Sequence, residues 1–479
     1  MNWGLINQAK PGKERIALIN ARAHLELAKK YVTEKVLQEA FSYMEKNPEE
    51  NFPRILNTAR LLAREEVHKQ QIAKVLEAYR TNPSIHAYVN RLFKVHPNVK
   101  QRLIYNWFVN AMLLGIPRQH QVSQETGVHI PNFFLLDPTS DCNLRCHGCW
   151  AGEYAHHDTL ELDLVDRLCR EAKAVGIYWL AMSGGEPFRW PHLFELAERH
   201  PDMAFMLYTN GTLIDDAVAD RMVEVGNITP AISLEGWRER TDARRGRGVF
   251  DRVMAAMDRL RERGLVFGVS ITITRENAEE VTSDEFIDFL LEKGVVYGWS
   301  FHYIPIGRDP NPELMVTPEQ RAYLAERIPY IRNHKGLQIA DFWNDGELTL
   351  GCIAGGRRYF HITASGAVEP CAFIHFSMDN IKEKSLLEVL QSPLFRAYQR
   401  RQPFSDNLLR PCPLIDVPEG LRQIVAETGA KPTHPGADTA LKGSIGAYLD
   451  ANAARWGEVA DRIWRERHPE PQKELTAGK

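Results

Sequence analysis

The stretch Asp141-Cys142-Asn143-Leu144-Arg145-Cys146-His147-Gly148-Cys149-Trp150 follows a short apolar run, Phe133–Leu136. It places three thiols on one loop at C-x3-C-x2-C spacing. Downstream, further β-rich runs appear at Tyr178–Met182, Phe205–Tyr208, Ala231–Leu234, Val266–Ile273 and Trp299–Ile304. Between them lie amphipathic helical stretches at Leu160–Val175, Leu193–Arg199, Asp215–Val225, Phe250–Arg263 and Ser283–Lys293. Strands alternating with helices are the pattern of parallel βα units. Six of them predict an α/β fold, a partial (β/α)6 barrel of the TIM type over residues 131–310. In such a barrel chemistry gathers on the loops that follow the strands. The cysteine loop follows the first.

Three thiolates on one short loop can hold three irons of a cubane cluster and leave the fourth open to a small molecule. A zinc site is the rival reading. It needs four ligands, the fourth drawn from His147, His156 or His157.

The segment resembles the radical SAM superfamily when read with Gly184-Gly185-Glu186-Pro187 after the second predicted strand. The resemblance continues through Tyr208-Thr209-Asn210-Gly211, Ser233-Leu234-Glu235-Gly236, Arg245-Gly246 and Ile304-Pro305-Ile306-Gly307-Arg308, covering roughly Asn132–Arg308. It implies a [4Fe-4S] cluster on Cys142, Cys146 and Cys149 whose open iron chelates S-adenosyl-L-methionine. One electron then cleaves the cofactor, giving a 5′-deoxyadenosyl radical that takes hydrogen from a substrate. It also implies that Gly184 and Gly185 let backbone approach the methionine moiety and that Glu186 and its loop receive the amino group. Ser233 and Glu235 would face the ribose or methionine end, and Arg245 would meet the carboxylate. The family commonly has an aromatic residue before the third cysteine, where this sequence has Gly148; Trp150 or Tyr178 would stand in against adenine.

A second cysteine set follows. Cys352, Gly366 and Cys371 stand in a Cys-x13-Gly-x4-Cys pattern, with Cys412 further on. Gly366 fits a hairpin turn at Ala364–Ala367 that would bring the flanking cysteines together. The pattern resembles the SPASM and twitch domains, which append auxiliary clusters to radical SAM barrels. A helix is expected over Ile381–Gln399. The resemblance implies a second [4Fe-4S] cluster on Cys352, Cys371 and Cys412 in a small α+β domain, residues 311–420. The fourth ligand would be Asp416, His375 or a bound substrate, or the iron would stay open. Cys169 shares a helical face with Leu162, Val165 and Ala172 and reads as core, as do Met254 and Met257.

Residues 1–130 read as helices, one over Glu14–Asn47 and a second starting at Pro53 as its first helical residue. A third stretch, Pro83–Leu114, is interrupted near His96–Pro97. Residues 421–479 read as a link near Lys431–Gly436, a final helix around Tyr448–Arg467 and a polar tail.

Lys+Arg at 59 against Asp+Glu at 62 gives no field that would attract nucleic acid. The opening residues lack an apolar signal segment, and no run approaches the ~20 apolar residues of a membrane span. Seven cysteines with no secretory signal suit a reducing, cytoplasmic setting rather than a disulfide framework. The expected function is hydrogen abstraction from a small or apolar molecule, supplied with electrons by a reductant such as flavodoxin or ferredoxin. A peptide-modifying maturase is the rival within the family. A non-catalytic iron–sulfur carrier or redox sensor is the rival outside it. His302 and Tyr303 are candidate substrate contacts.

Overall fold

The computed structural model describes residues 66–469 continuously and, before them, 35–36, 39–40, 42–44 and 46–62. The chain divides into two compact units, Met1–Thr81 and Asn82–Lys479. In the first, helices run over Pro48–Leu62 and Glu66–Thr81. Pro53 sits inside the first of these, not at its start. That correction places the helix start at Pro48, where a ring without an N–H costs nothing. Most of the expected Glu14–Asn47 helix lies outside the described residues.

The second unit is organised by one sheet. Strands β1 (Phe134–Leu136), β2 (Trp179–Met182), β3 (Ala204–Thr209), β4 (Ile228–Ser233), β5 (Gly268–Ile273), β6 (Tyr297–His302) and β7 (Gln338–Asp341) pair in chain order. Every one of these pairings is parallel. The first six are the expected strands with ends moved by one to three residues. β7 is an addition, its apolar content being too short to stand out. Burial along β3 and β4 is nearly continuous, as expected for parallel strands covered on both faces. The covering helices present single apolar faces. In Leu162–Ala174 the buried residues include Val165, Leu168, Cys169 and Ala172, and in Val249–Glu262 they include Val253, Ala256, Met257 and Leu260. Cys169 and Met257 are therefore core.

At the β1 edge the sheet continues into β8 (His361–Ile362), which is parallel to β1. Then come β9 (Ala367–Glu369) and, beyond a third short strand β10 (Phe376–Ser377), β11 (Asp379–Asn380). β8 and β9 form the expected hairpin, with Gly366 at φ 90°. The barrel thus stays open, with the second cysteine domain extending its first edge. The single helix expected over Ile381–Gln399 is instead two short ones, Leu386–Val389 and Pro393–Gln399. Ser392 caps the second and Pro393 opens it, which ends any continuous run. The stretch expected as a link holds strand β12 (Lys431–Pro432), antiparallel to β10. Helix Gly443–Arg467 packs through Trp456, whose indole N–H donates to Leu409 O at 3.1 Å.

The helical segment over 97–126 closes the end of the sheet where the strands begin. Asn106 donates to the carbonyls of Pro201 and Met203, and Gln119 donates to Gly176 O. Asn98 donates to the carbonyls of Val223 and Glu224. These amides thus satisfy loop and helix-end carbonyls that no strand pairs, leaving the opposite end free for the site. Among the described residues no helix is long and apolar enough to cross a membrane.

Candidate active site and cluster cavities

Cys142, Cys146 and Cys149 border a cavity at the ends of β1 to β6, together with Gly184, Gly185, Ser233, Arg245 and Trp150. Six strand-end loops therefore converge on one space. The segments after β2, β3, β4 and β6 are tied to the cysteine loop by direct hydrogen bonds.

Asn210, after β3, donates from its amide to Asn143 Oδ1 at 2.8 Å and lies 3.9 Å from Cys142 Sγ. Gly307, after β6, has a φ of 71° and passes so close to the carbonyls of Cys149 and Trp150 that a side chain there would collide. Arg308 N–H donates to Cys149 O at 3.0 Å, and its guanidinium donates to Gly152 O. The Ile304–Arg308 segment is a clamp on the cysteine loop.

Gly184 and Gly185 border the cavity, but the direction of their missing side chains gives a different reason for glycine. A Cβ on Gly184 would meet Thr139 O and Asp137, and one on Gly185 would strike the Asp141 backbone. Glycine is needed so that this loop can nest against the cysteine loop. Its backbone is what faces the cavity.

The two carboxylates of the expected site do not reach the cavity wall. Glu186 is fully buried and accepts from Thr209 Oγ1 at 2.6 Å, Asn210 N at 2.8 Å and Phe188 N at 3.2 Å. Burial disfavours its charged form, so its pKa lies above the usual carboxylate range, while those donors oppose the shift. Its side chain fastens the β2 loop to the β3 end. Glu235 is also buried and accepts from Arg244 at 2.6 Å and from Arg245 at 2.8 and 2.5 Å, all on Oε1. Burial works against its charge, but Arg244 and then Arg245 outweigh it and hold the carboxyl below its usual range. Arg245 borders the cavity, already paired with Glu235. The sequence reading missed Arg244, which also donates to Thr272 and to Gly148 O and was hidden in an Arg-rich run.

Trp150 borders the cavity, its ring edge-on to His361 with centroids 5.6 Å apart. Tyr178 does not. It lies at the opening end of β2, near Gly115. The aromatic ring beside Gly148 belongs to Tyr303, after β6.

A second cavity adjoins the first. Cys352, Cys371 and Cys412 all line it, along with Tyr398 and Trp343. Trp299, Phe342 and Phe373 are common to both walls. Two phenols touch its thiols: Tyr398 OH is 3.2 Å from Cys352 Sγ and Tyr359 OH is 2.8 Å from Cys371 Sγ. Burial pushes Cys142 up to about 11 and Cys371 up to about 12. Such thiols ionise only where cations compensate them, as the irons of a cluster would. Among the described residues no group of three His, Cys, Asp or Glu side chains is already drawn together around a point that could hold one metal ion. Two three-cysteine sets, each lining one cavity, supply the thiolates that iron–sulfur clusters use.

Under the β1 edge, fully buried His361 lies between Glu369, at 2.7 Å from Nδ1, and Asp137, whose Oδ2 is 2.9 Å from Nε2 though off the hydrogen-bond line. Ser183, on the cavity wall, donates to Asp137 at 2.6 Å. Tyr154 donates to both oxygens of Glu369 at 2.9 Å. One charged group thus joins β1, the hairpin and the cysteine loop.

With this geometry in hand, comparisons with known proteins agree. A family model described as the radical SAM superfamily matches residues 136–287, and the SPASM iron-sulfur cluster-binding domain matches residues 352–413. The Fe-coproporphyrin III synthase of Methanosarcina barkeri is 31% identical over 340 residues, spanning 60% of this chain and 82% of its own. The AdoMet-dependent heme synthase of the same organism is 26% identical over 291 residues, 55% of this chain and 82% of its own. The PqqA peptide cyclase of Ruegeria pomeroyi is 26% identical over 326 residues, 63% and 84% respectively. In fold, the crystal structure of Streptococcus suis SuiB bound to S-adenosylmethionine superposes with a TM-score of 0.52 at 20% identity, covering 62% of this chain and 75% of that one.

Proposed function

This chain belongs to the radical SAM superfamily and carries a SPASM iron–sulfur domain, and from that premise we propose that its substrate is a carboxylate-bearing tetrapyrrole. The clusters and S-adenosylmethionine supply the radical that abstracts hydrogen. Everything else rests on how the chain's own residues receive the substrate.

The observation that carries the reading is the wall shared by the two cavities. Trp299, Phe342 and Phe373 border both, and Tyr208, Phe301 and Trp150 extend the aromatic surface within the first. Flat rings offset against aromatic side chains gain about 0.5–1.5 kcal/mol per pair beyond area burial, so such a wall suits a planar macrocycle. Within it, His302 is 2% exposed and neither ring nitrogen makes a hydrogen bond, Asp341 Oδ1 standing 3.5 Å from Nε2. Burial pushes its pKa down to about 3, so it is a neutral imidazole, able to donate from one nitrogen and accept at the other. The stacked Trp343 carries an unpaired indole N–H. Unpaired buried nitrogens cost about 1–3 kcal/mol each, and a polar substrate edge would satisfy them. The similarity to a synthase of Fe-coproporphyrin III supports the same class.

The test is anaerobic turnover of the reconstituted protein with dithionite, S-adenosylmethionine and coproporphyrin III, with and without iron. The expected result is 5′-deoxyadenosine formed in step with a tetrapyrrole product of changed mass. If the tetrapyrroles neither stimulate cofactor cleavage nor change mass, while a peptide fraction of cell extract does, the maturase reading replaces this one.

A further inference from the structure

We propose that the cluster on Cys352, Cys371 and Cys412 has no fourth ligand from this chain, and that a carboxylate of the substrate occupies its open iron. The second half rests on the tetrapyrrole reading; the first half does not.

Of the seven cysteines, three serve the first cavity and Cys169 is sealed inside a helix–sheet interface. Three remain. Among the described residues, the other groups near them that could bind iron are already committed. Asp416 accepts from Arg321 through both oxygens and from Cys412 N–H at 3.0 Å. Both partners of that ion pair are buried, and Arg321 also lies over the Trp456 ring at 4.4 Å. Turning the carboxylate toward iron would leave a buried guanidinium without its counter-charge, with only neutral acceptors on Asn344, Trp343 and Leu409.

Asp345 is held by Arg332 with two contacts of 2.7 Å and also accepts Asp341 N–H. Asp341 accepts from the backbone of Trp343 and Asn344 and from the Asn344 amide. His375 has both nitrogens engaged, one with His434 at 2.7 Å and one with Ala372 O at 2.9 Å, and it does not line the cavity. Tyr398 and Tyr359 are already spoken for as partners of Cys352 and Cys371. A thiolate needs such a donor, so their hydroxyls are better used on sulfur than on iron.

The place of the cavity completes the case. Its thiols stand across Trp299, Phe342 and Phe373 from the cavity of the first cluster. A substrate ligated at the open iron would reach over that wall toward the radical. A fully ligated cluster could only pass electrons.

The test uses the full-length protein with Cys142, Cys146 and Cys149 all changed to alanine, so that only the second cluster loads. Its reduced form is examined by pulsed EPR with ¹³C-cyanide. A ¹³C coupling, lost when coproporphyrin III is added, supports the proposal in full. Coupling that coproporphyrin III fails to displace upholds the open iron and overturns the substrate as its ligand. No coupling in this protein, but coupling once Tyr398→Phe is added, makes Tyr398 the ligand and overturns the proposal. No coupling in either also overturns it. If the triple variant does not fold, the same measurement on the unaltered protein saturated with S-adenosylmethionine, which fills the first cluster's open iron, decides between these outcomes.

Discussion

Tyr303 lies against Gly148: a Cβ built on that glycine would sit 2.7 Å from the tyrosine ring. Gly148 also holds a φ of 62°, in the left-handed region that favours glycine. The ring that the cysteine loop lacks is thus brought in from the end of β6. Gly148→Ala is expected to fail on both counts, steric and conformational, and to lose iron loading along with cofactor cleavage. Tyr303→Ala is expected to keep its iron and raise the KM for S-adenosylmethionine about 5- to 10-fold, the worth of one aromatic contact near 1 kcal/mol. Unchanged KM in Tyr303→Ala would remove the ring from the cofactor's surroundings.

The two thiol sets make separable claims on metal. The protein is expected to load about eight irons, and Cys146→Ala about four, with no 5′-deoxyadenosine formed. Cys371→Ala is expected to load about four as well while still cleaving the cofactor in the absence of substrate. Iron analysis with product chromatography checks both. An unaltered iron count in Cys371→Ala would mean that the second cavity binds none.

The hydroxyls of Tyr359 and Tyr398 meet sulfurs of the second set at 2.8 and 3.2 Å. A hydrogen bond to sulfur stabilises the more negative, reduced cluster and so raises its potential. Replacing either tyrosine by phenylalanine is expected to lower the midpoint by about 40 mV, for about 1 kcal/mol lost at 59 mV per tenfold. Potentiometric titration followed by EPR reads this directly. A midpoint that stays put in both variants would show that neither hydroxyl points its proton at the cluster.

How far these features can be read from sequence depends on the range of the interaction. Local periodicity reveals β1 to β6 and their helices, because each buries a face set by its own residues. The thiols of both sets are legible as spacing. What escapes is whatever is decided by the far partner. Glu186 and Glu235 look like site carboxylates in a motif, yet Thr209, Asn210, Arg244 and Arg245 draw them inward. Tyr303 cannot be paired with Gly148 across 155 residues without the fold. Gly185 reads as a place where backbone approaches a ligand, and only the fold shows that its missing side chain also makes room for Asp141.

His302 borders the first cavity with neither nitrogen hydrogen-bonded, Nε2 standing 3.5 Å from Asp341 Oδ1, and its ring stacks on Trp343 at 5.6 Å. His302→Phe keeps the stacking and removes the nitrogens. It is expected to lower kcat/KM for the tetrapyrrole about 10- to 100-fold, the loss of one or two buried hydrogen bonds, with iron content unchanged. Steady-state kinetics at two pH values adds a check. Burial holds the imidazole neutral, with a pKa pushed down to about 3, so the effect of the substitution is expected to be the same at pH 6 and pH 8. A defect confined to one of them would mean the ring titrates in the working range.

His361 supplies a prediction about stability. Burial alone would lower its pKa, but Asp137 and then Glu369 outweigh it and raise it from 6.5 to about 10. The protonated ring is therefore favoured in the folded chain. Its contribution is fully present below pH 6.5, where the unfolded chain is protonated too, and is lost as pH rises through about 10. His361→Gln leaves two buried carboxylates facing an amide and is expected to cost about 3 kcal/mol at pH 6. Other groups titrate in the same window, so the quantity to follow is the difference in unfolding free energy between the two proteins, measured anaerobically from pH 6 to pH 10.5. That difference is expected to shrink as alkali deprotonates the native ring and leaves it, too, without a charge to offer Asp137 and Glu369. A difference constant across the window would mean that the ring is neutral at every pH and that the link between β1, the hairpin and the cysteine loop is held by hydrogen bonding alone.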